Sequence, residues 1–155
     1  MVLFDDNYNK ALEEIKRADH LVHVTLKYTR TADVIKNIIE RLINAFDFIF
    51  LEYLTFLKEN NKINYIPDSS KERLELFQKE FKGKSKVYID LYILMKKIFA
   101  ANFGKKEEFR KHVTLISHLG KKDINVDIPV ITDYYYKTRE FFSLVYQSIK
   151  WLNSY

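Results

Sequence analysis

The chain has little with which to bend its backbone: 3 glycines and 2 prolines in 155 residues. Long uninterrupted elements follow, because tight turns and close backbone approaches draw mainly on these two residue types. The shortage also removes the glycine-dependent machinery of many enzymes. No G-x-G-x-x-G, G-x-x-x-x-G-K-[ST] or G-x-S-x-G occurs, which excludes the usual phosphate-cradling loops and the strained turn of a nucleophilic serine. Cysteine is absent, so disulfides, thiolate metal sites and cysteine nucleophiles are excluded and a reducing cytoplasm is the expected compartment. The opening stretch MVLFDDNYNKALEE turns acidic after four residues and lacks the basic and then apolar pattern of a secretory leader. The most apolar run, Leu42 to Leu57, carries Asp47 and Glu52, and reads as a core or interface helix rather than a membrane span.

What is present fits one helical domain over residues 1–155. Hydrophobic residues make up 47% of the chain, and a domain of this length buries roughly 70% of the surface its unfolded chain exposes. The net charge of +5 is regional. Between Lys82 and Lys122, ten lysines and Arg110 face three acidic residues, a local excess of +8. Such a patch is the minimum electrostatic condition for an RNA, DNA or other polyanionic partner. Lys96, Lys97, Lys105, Lys106, Arg110 and Lys111 are the candidate contacts.

Apolar spacing is helical almost throughout. Tyr8, Leu12, Ile15, Val22 and Leu26 predict a first helix over 6–29, with Asp5, Asp6 or Asn7 as its cap. Ile35 through Phe56 predict a second over 32–59, opened by Thr29 or Thr31 with Asp33 in its first turn; no Gly or Pro separates the two, and one bent helix is the alternative. The polar stretch Glu59 to Ser70 is a loop, closed by a capping box of Ser69 and Glu72 that starts helix three. A fourth helix is expected over 85–102. A fifth, over 105–119, would turn Phe109, Val113, Ile116 and Leu119 inward and end at Gly120. Residues 121–130 alternate apolar and polar positions and read as an extended strap near 123–130. Thr132 and Asp133 open the last helix. The expected fold is all-α, an antiparallel bundle of five or six helices with an aromatic core.

Two long N-terminal helices, a loop with a shorter helix, and helices returning across the bundle resemble the HEPN-like superfamily; Arg17 to Asp47 is also similar to segments of small archaeal helical proteins. The resemblance implies a homodimer, in some cases working beside a protein partner, and in active members a metal-independent ribonuclease with an R-x4-6-H motif. Arg17 and His23 match that count, although a six-residue step on a regular helix rotates the side chain by roughly 240°. Arg110 and His118, in the region where the family carries its motif, have seven residues between them.

Other constellations have structural readings. Asp19 with His23, and Glu108 with His112, put a carboxylate and an imidazole on one helix face, as a local ion pair or half of a metal site. No Glu-x-x-His occurs, which excludes a di-iron bundle; no cofactor or metal is expected. Asp19 falls inside the first helix's apolar stripe and needs a buried partner, with Arg41, Arg139 or a tyrosine hydroxyl as candidates. Lys27 to Thr31 gathers cations and hydroxyls beside a helix N-terminus suited to an anion. Tyr134, Tyr135, Tyr136, Trp151 and Tyr155 offer stacking surface for unpaired bases. Phe46, Phe48, Phe50 and Tyr53 give the second helix more apolar width than one core face requires, the mark of an interface with a second copy. The expected function is a non-enzymatic, homodimeric interaction module acting through protein or nucleic-acid partners without a membrane, and the alternative is a HEPN-type ribonuclease or other nucleic-acid-processing enzyme using residues 82–122.

Overall fold

The computed structural model describes residues 6–154; the proposed cap Asp5 and the proposed stacking residue Tyr155 lie outside them. The first helix comes in three pieces: α1 (Asp6–His20), a π-helical turn (Leu21–Thr25) and α2 (Leu26–Tyr28). A short break follows, and α3 (Ala32–Glu59) begins where Thr31 Oγ1 accepts from Val34 N at 3.2 Å. This resolves the bent-helix alternative in favour of two helices, because a capping hydroxyl satisfies donors that a continuous helix would not leave free. α4 (Ser70–Glu80) starts at the expected cap, Ser69 Oγ accepting from Glu72 N at 3.1 Å. α5 spans Lys86–Ala100.

Here the all-α expectation fails. Residues 105–119 do not form a helix: β1 (Phe103–Lys106), β2 (Thr114–Leu119) and β3 (Lys122–Asp127) form an antiparallel sheet in the order β1-β2-β3. The segment carries two competing periods. Phe109, Val113, Ile116 and Leu119 recur at helical spacing, but Val113, Leu115 and Ser117 alternate, and these three are the buried residues of the segment. Burial of a period-2 face decided between them. The extended strap is real but belongs to a sheet. β3 pairs with β2 from Thr114↔Asp127 to Leu119↔Lys122, and a turn at Gly120 and Lys121 joins them. Gly120 has φ +63, a conformation cheap only for glycine.

Pro129 is not a strand residue. It occupies the first turn of α6 (Ile128–Asn153), whose cap is Asp127 accepting from Val130 N at 3.0 Å. The helix therefore starts ahead of the expected Thr132, since proline's fixed φ suits the first helical turn.

The core is continuous across helices and sheet. α3 is its axis: α1 packs on one side through Ala11, Ile15 and Ala18, and α6 and α5 pack on the others. Phe46, Phe50, Phe77, Tyr92 and Phe141 interlock at its centre, with Phe46 stacked on Phe141 at 4.9 Å and Phe50 edge-on to Tyr92 at 5.1 Å between ring centroids. No helix among the described residues is long and apolar enough to cross a membrane.

One polar pair is set into this aromatic centre. The Tyr92 hydroxyl donates to Asp47 Oδ1 at 2.5 Å. Burial pushes the Asp47 carboxyl above its usual range, opposed by the Tyr92 bond and the Lys96 charge. A carboxyl raised in the folded state adds stability below its unfolded value, near pH 4, and that contribution is lost as pH rises through the folded value. Asp47→Asn should flatten this decline in denaturant melts at a series of pH values; an unchanged decline would place it elsewhere. Tyr92→Phe, which strands the carboxylate, should cost about 1–3 kcal/mol.

Candidate functional site

Two places gather chemistry, and neither is a helix over residues 105–119. The first lies where the β1–β2 loop meets the break between α2 and α3. The Phe109 amide donates to the Arg30 carbonyl at 2.6 Å, and the Ala32 amide donates to Glu108 Oε2 at 3.1 Å. Lys105 Nζ donates to Asp33 Oδ2 at 2.7 Å and lies 3.8 Å from Glu108. Glu108 thus serves as the anion at the N-terminus of α3, so the site foreseen there for a bound phosphate is filled by the protein itself. Its expected pairing with His112 does not form, because the two residues share a loop and not a helix face.

These contacts separate the basic residues into two groups. Lys105 is held by carboxylates on both sides, and its hydrogen bond to Asp33 raises its pKa. Lys96 donates to Ser70 Oγ at 3.3 Å and lies over the Tyr92 ring. Lys97 is exposed on α5 and forms no ion pair among the described residues. Lys27, Lys106 and Lys111 are exposed and form no ion pair among the described residues. Arg110, 77% exposed in its side chain, has only a long contact to Glu107 at 3.7 Å. Arg30 contributes a guanidinium with no ion pair, whose buried Nε lacks a hydrogen-bond partner among the described residues. At this junction the cations not held by a close carboxylate are Lys27, Arg30, Lys106, Arg110 and Lys111. Lys27 and Arg30 join the patch only because the loop folds onto them.

The arginine and histidine pairs expected of a ribonuclease do not converge. Arg110 lies beyond the Thr114 end of β2, whereas His118 lies near its other end, four residues and roughly 13 Å along the strand. His118 Nδ1 instead meets Asp123 Oδ1 across the sheet at 2.9 Å. Arg17 turns towards Glu13 and Glu14, at 2.8 and 3.5 Å, and His23, within the π-helical turn, turns to α6. With Arg41, Lys16 and His20, Arg17 lines an open groove of about 390 Å³ that Glu13 also lines, and buried Glu14, outside the lining, pairs with Arg17 and Arg41.

The second place is the π-helical turn. Its wider winding brings His23 against α6, where Nδ1 lies 2.9 Å from Asp19 Oδ1 and Nε2 lies 3.2 Å from the Tyr136 hydroxyl. The Tyr135 hydroxyl donates to the same Asp19 oxygen at 2.8 Å, and the Arg139 guanidinium covers both tyrosine rings at 5.7 Å. A carboxylate at Nδ1 selects the tautomer with hydrogen there, so Nε2 accepts from Tyr136. Burial, then the bond to Asp19, pushes the Tyr135 phenol up to about 12, which keeps it a donor. Asp19 has the foreseen tyrosine partner but is half exposed, not buried, and Arg139 is exposed rather than inward. The buried carboxylate of α1 is Glu14, paired with Arg41 at 3.3 Å.

The proposed interface aromatics are placed elsewhere as well. Phe46, Phe50 and Tyr53 are buried within the single chain, which removes them from any surface a second copy could cover. The α4, α5 and α6 rings consume the excess width of α3. Phe48 alone of the four is partly exposed, beneath Lys10. Comparison of the chain with protein families, with curated proteins and with solved structures returns no match.

Proposed function

We propose that the protein is a nucleic-acid-binding module whose contact surface is the junction of the α2–α3 break with the β1–β2 loop. The observation that carries this reading is the bond from Phe109 N to Arg30 O. It brings two stretches distant in sequence together, one carrying Lys27 and Arg30 and the other Lys106, Arg110 and Lys111, where acidic side chains are either paired or engaged in capping. Cations without ion pairs attract a phosphate backbone, and counterion release supplies the affinity. Fluorescence anisotropy with labelled oligonucleotides should show binding at low salt that weakens steeply as salt rises. Absence of binding at low salt would reduce the patch to a solvated corner.

A second reading, a processing enzyme of the HEPN type, draws on the π-helical turn, because an arginine and a histidine do meet there through Arg139, Tyr136 and His23. Metal-free incubation with RNA discriminates. The binding reading expects no cleavage that depends on His23 or Arg139; cleavage abolished by His23→Ala would replace it with the enzymatic one.

A further inference from the structure

The β1–β2 loop holds its largest apolar side chain in water, and its backbone is strained in doing so. Glu107 and Phe109 have φ of 56° and 65°, a left-handed conformation that strains non-glycine residues. Three contacts already described impose it: Phe109 to Arg30, Glu108 to Ala32 and Lys105 to Asp33. The ring that results is 73% exposed, although burying a phenylalanine is strongly favourable. Core packing selects neither the backbone nor the ring position. Close by, Tyr28 ends α2 with 84% of its surface exposed. The bond to Arg30 keeps the two aromatic residues near each other: with one residue between Tyr28 and Arg30, their Cα atoms lie within roughly 14 Å.

We infer that Phe109 and Tyr28 are stacking platforms for unpaired bases, which makes the interface selective for single-stranded over double-stranded nucleic acid. The inference rests on the proposed function and adds the kind of ligand. An upper bound of roughly 14 Å between the Cα atoms is covered by about four stacking steps of 3.4 Å, so one short segment can engage both rings. The phosphates between them run past Lys27, Arg30, Arg110 and Lys111. A duplex keeps its bases stacked on each other and offers an aromatic ring nothing but its backbone. The stacking surface expected from the tyrosine run is not available in the same way. Tyr134 and Tyr135 are buried, Tyr136 is engaged with His23, and Trp151 is at the far end of α6.

The test uses the full chain, labelled oligo(U) and oligo(A), a matched duplex and phosphatidylserine vesicles, all at low salt. Single strands should bind more tightly than the duplex. Phe109→Ala should lower single-strand affinity by roughly 5- to 100-fold, the equivalent of one lost stacking contact, and leave duplex binding and thermal stability unchanged. Phe109→Trp should restore the affinity, and Tyr28→Ala should lower it independently. Equal affinity for strand and duplex, or single-strand binding that both alanine variants retain, would overturn base stacking while leaving a polyanion-binding patch. No oligonucleotide binding would overturn both readings. So would Phe109-dependent binding to vesicles alone, which would mark the ring as a lipid anchor.

Discussion

Phe50→Ala should destabilise the fold by about 3–5 kcal/mol, a large part of the 5–15 kcal/mol typical of a domain. Phe50 is 1% exposed and touches Phe46, Phe77, Tyr92 and Phe141. Removing the ring deletes its transfer energy and leaves a cavity that four rigid neighbours cannot close. Guanidinium melts should show a lower midpoint with an unchanged slope. The same measurement separates this packing from the interface reading of α3. Were Phe50 at a contact between copies, the alanine variant would lower oligomer mass and keep monomer stability. Phe48→Ala provides the contrast. It is partly exposed beneath Lys10, and its cost should be well below that of Phe50.

Replacing Lys27, Lys106 and Lys111 together by glutamine should lower single-strand affinity at low salt by on the order of a hundredfold or more, and flatten the plot of log K against log salt by about two units, near 0.7 per lost contact. The loss should fall on all sequences alike, since these residues meet phosphates and not base edges. Lys96→Gln and Lys105→Gln should change the slope far less. Lys96 is committed to Ser70 and the Tyr92 ring, and Lys105 to Asp33 and Glu108. Anisotropy titrations across salt concentrations decide between the two sets. Equal effects from both would mean that ion pairing does not remove a lysine from the patch, and that local charge density alone sets affinity.

Phe109 illustrates why the site was harder to read than the helices. By spacing it belongs with Val113, Ile116 and Leu119 on an inward helix face, yet it is the most exposed phenylalanine among the described residues. Two signals pointed the other way: glycines at 104 and 120 bracket the segment, and Thr114 and Ile116 are β-branched. Neither outweighs a helical repeat in a chain that is helical elsewhere. His118 and Arg110 went wrong with it, because their sequence separation means one distance on a helix and another across a strand and loop. Asp19 and His23 fared better. Their i, i+4 relation is local, and local geometry survives whatever the helix packs against.

The sequence alone determined the helical stretch of α3, the start of α4 at its Ser69 cap, the aromatic composition of the core and the regional excess of positive charge, whereas the choice of Thr31 over Thr29 as the cap of α3 came from the structure. Each of these depends on neighbours a few residues apart or on composition, and so is written in one stretch of chain. Tertiary structure alone decided that residues 103–127 pair as a sheet, that Phe46, Phe50 and Tyr53 face inward, and which cations remain available. Those outcomes depend on partners far along the chain. Asp33 neutralises Lys105 and Arg30 anchors Phe109 only once loop and helix break are brought together, and no period or motif in either segment records that meeting.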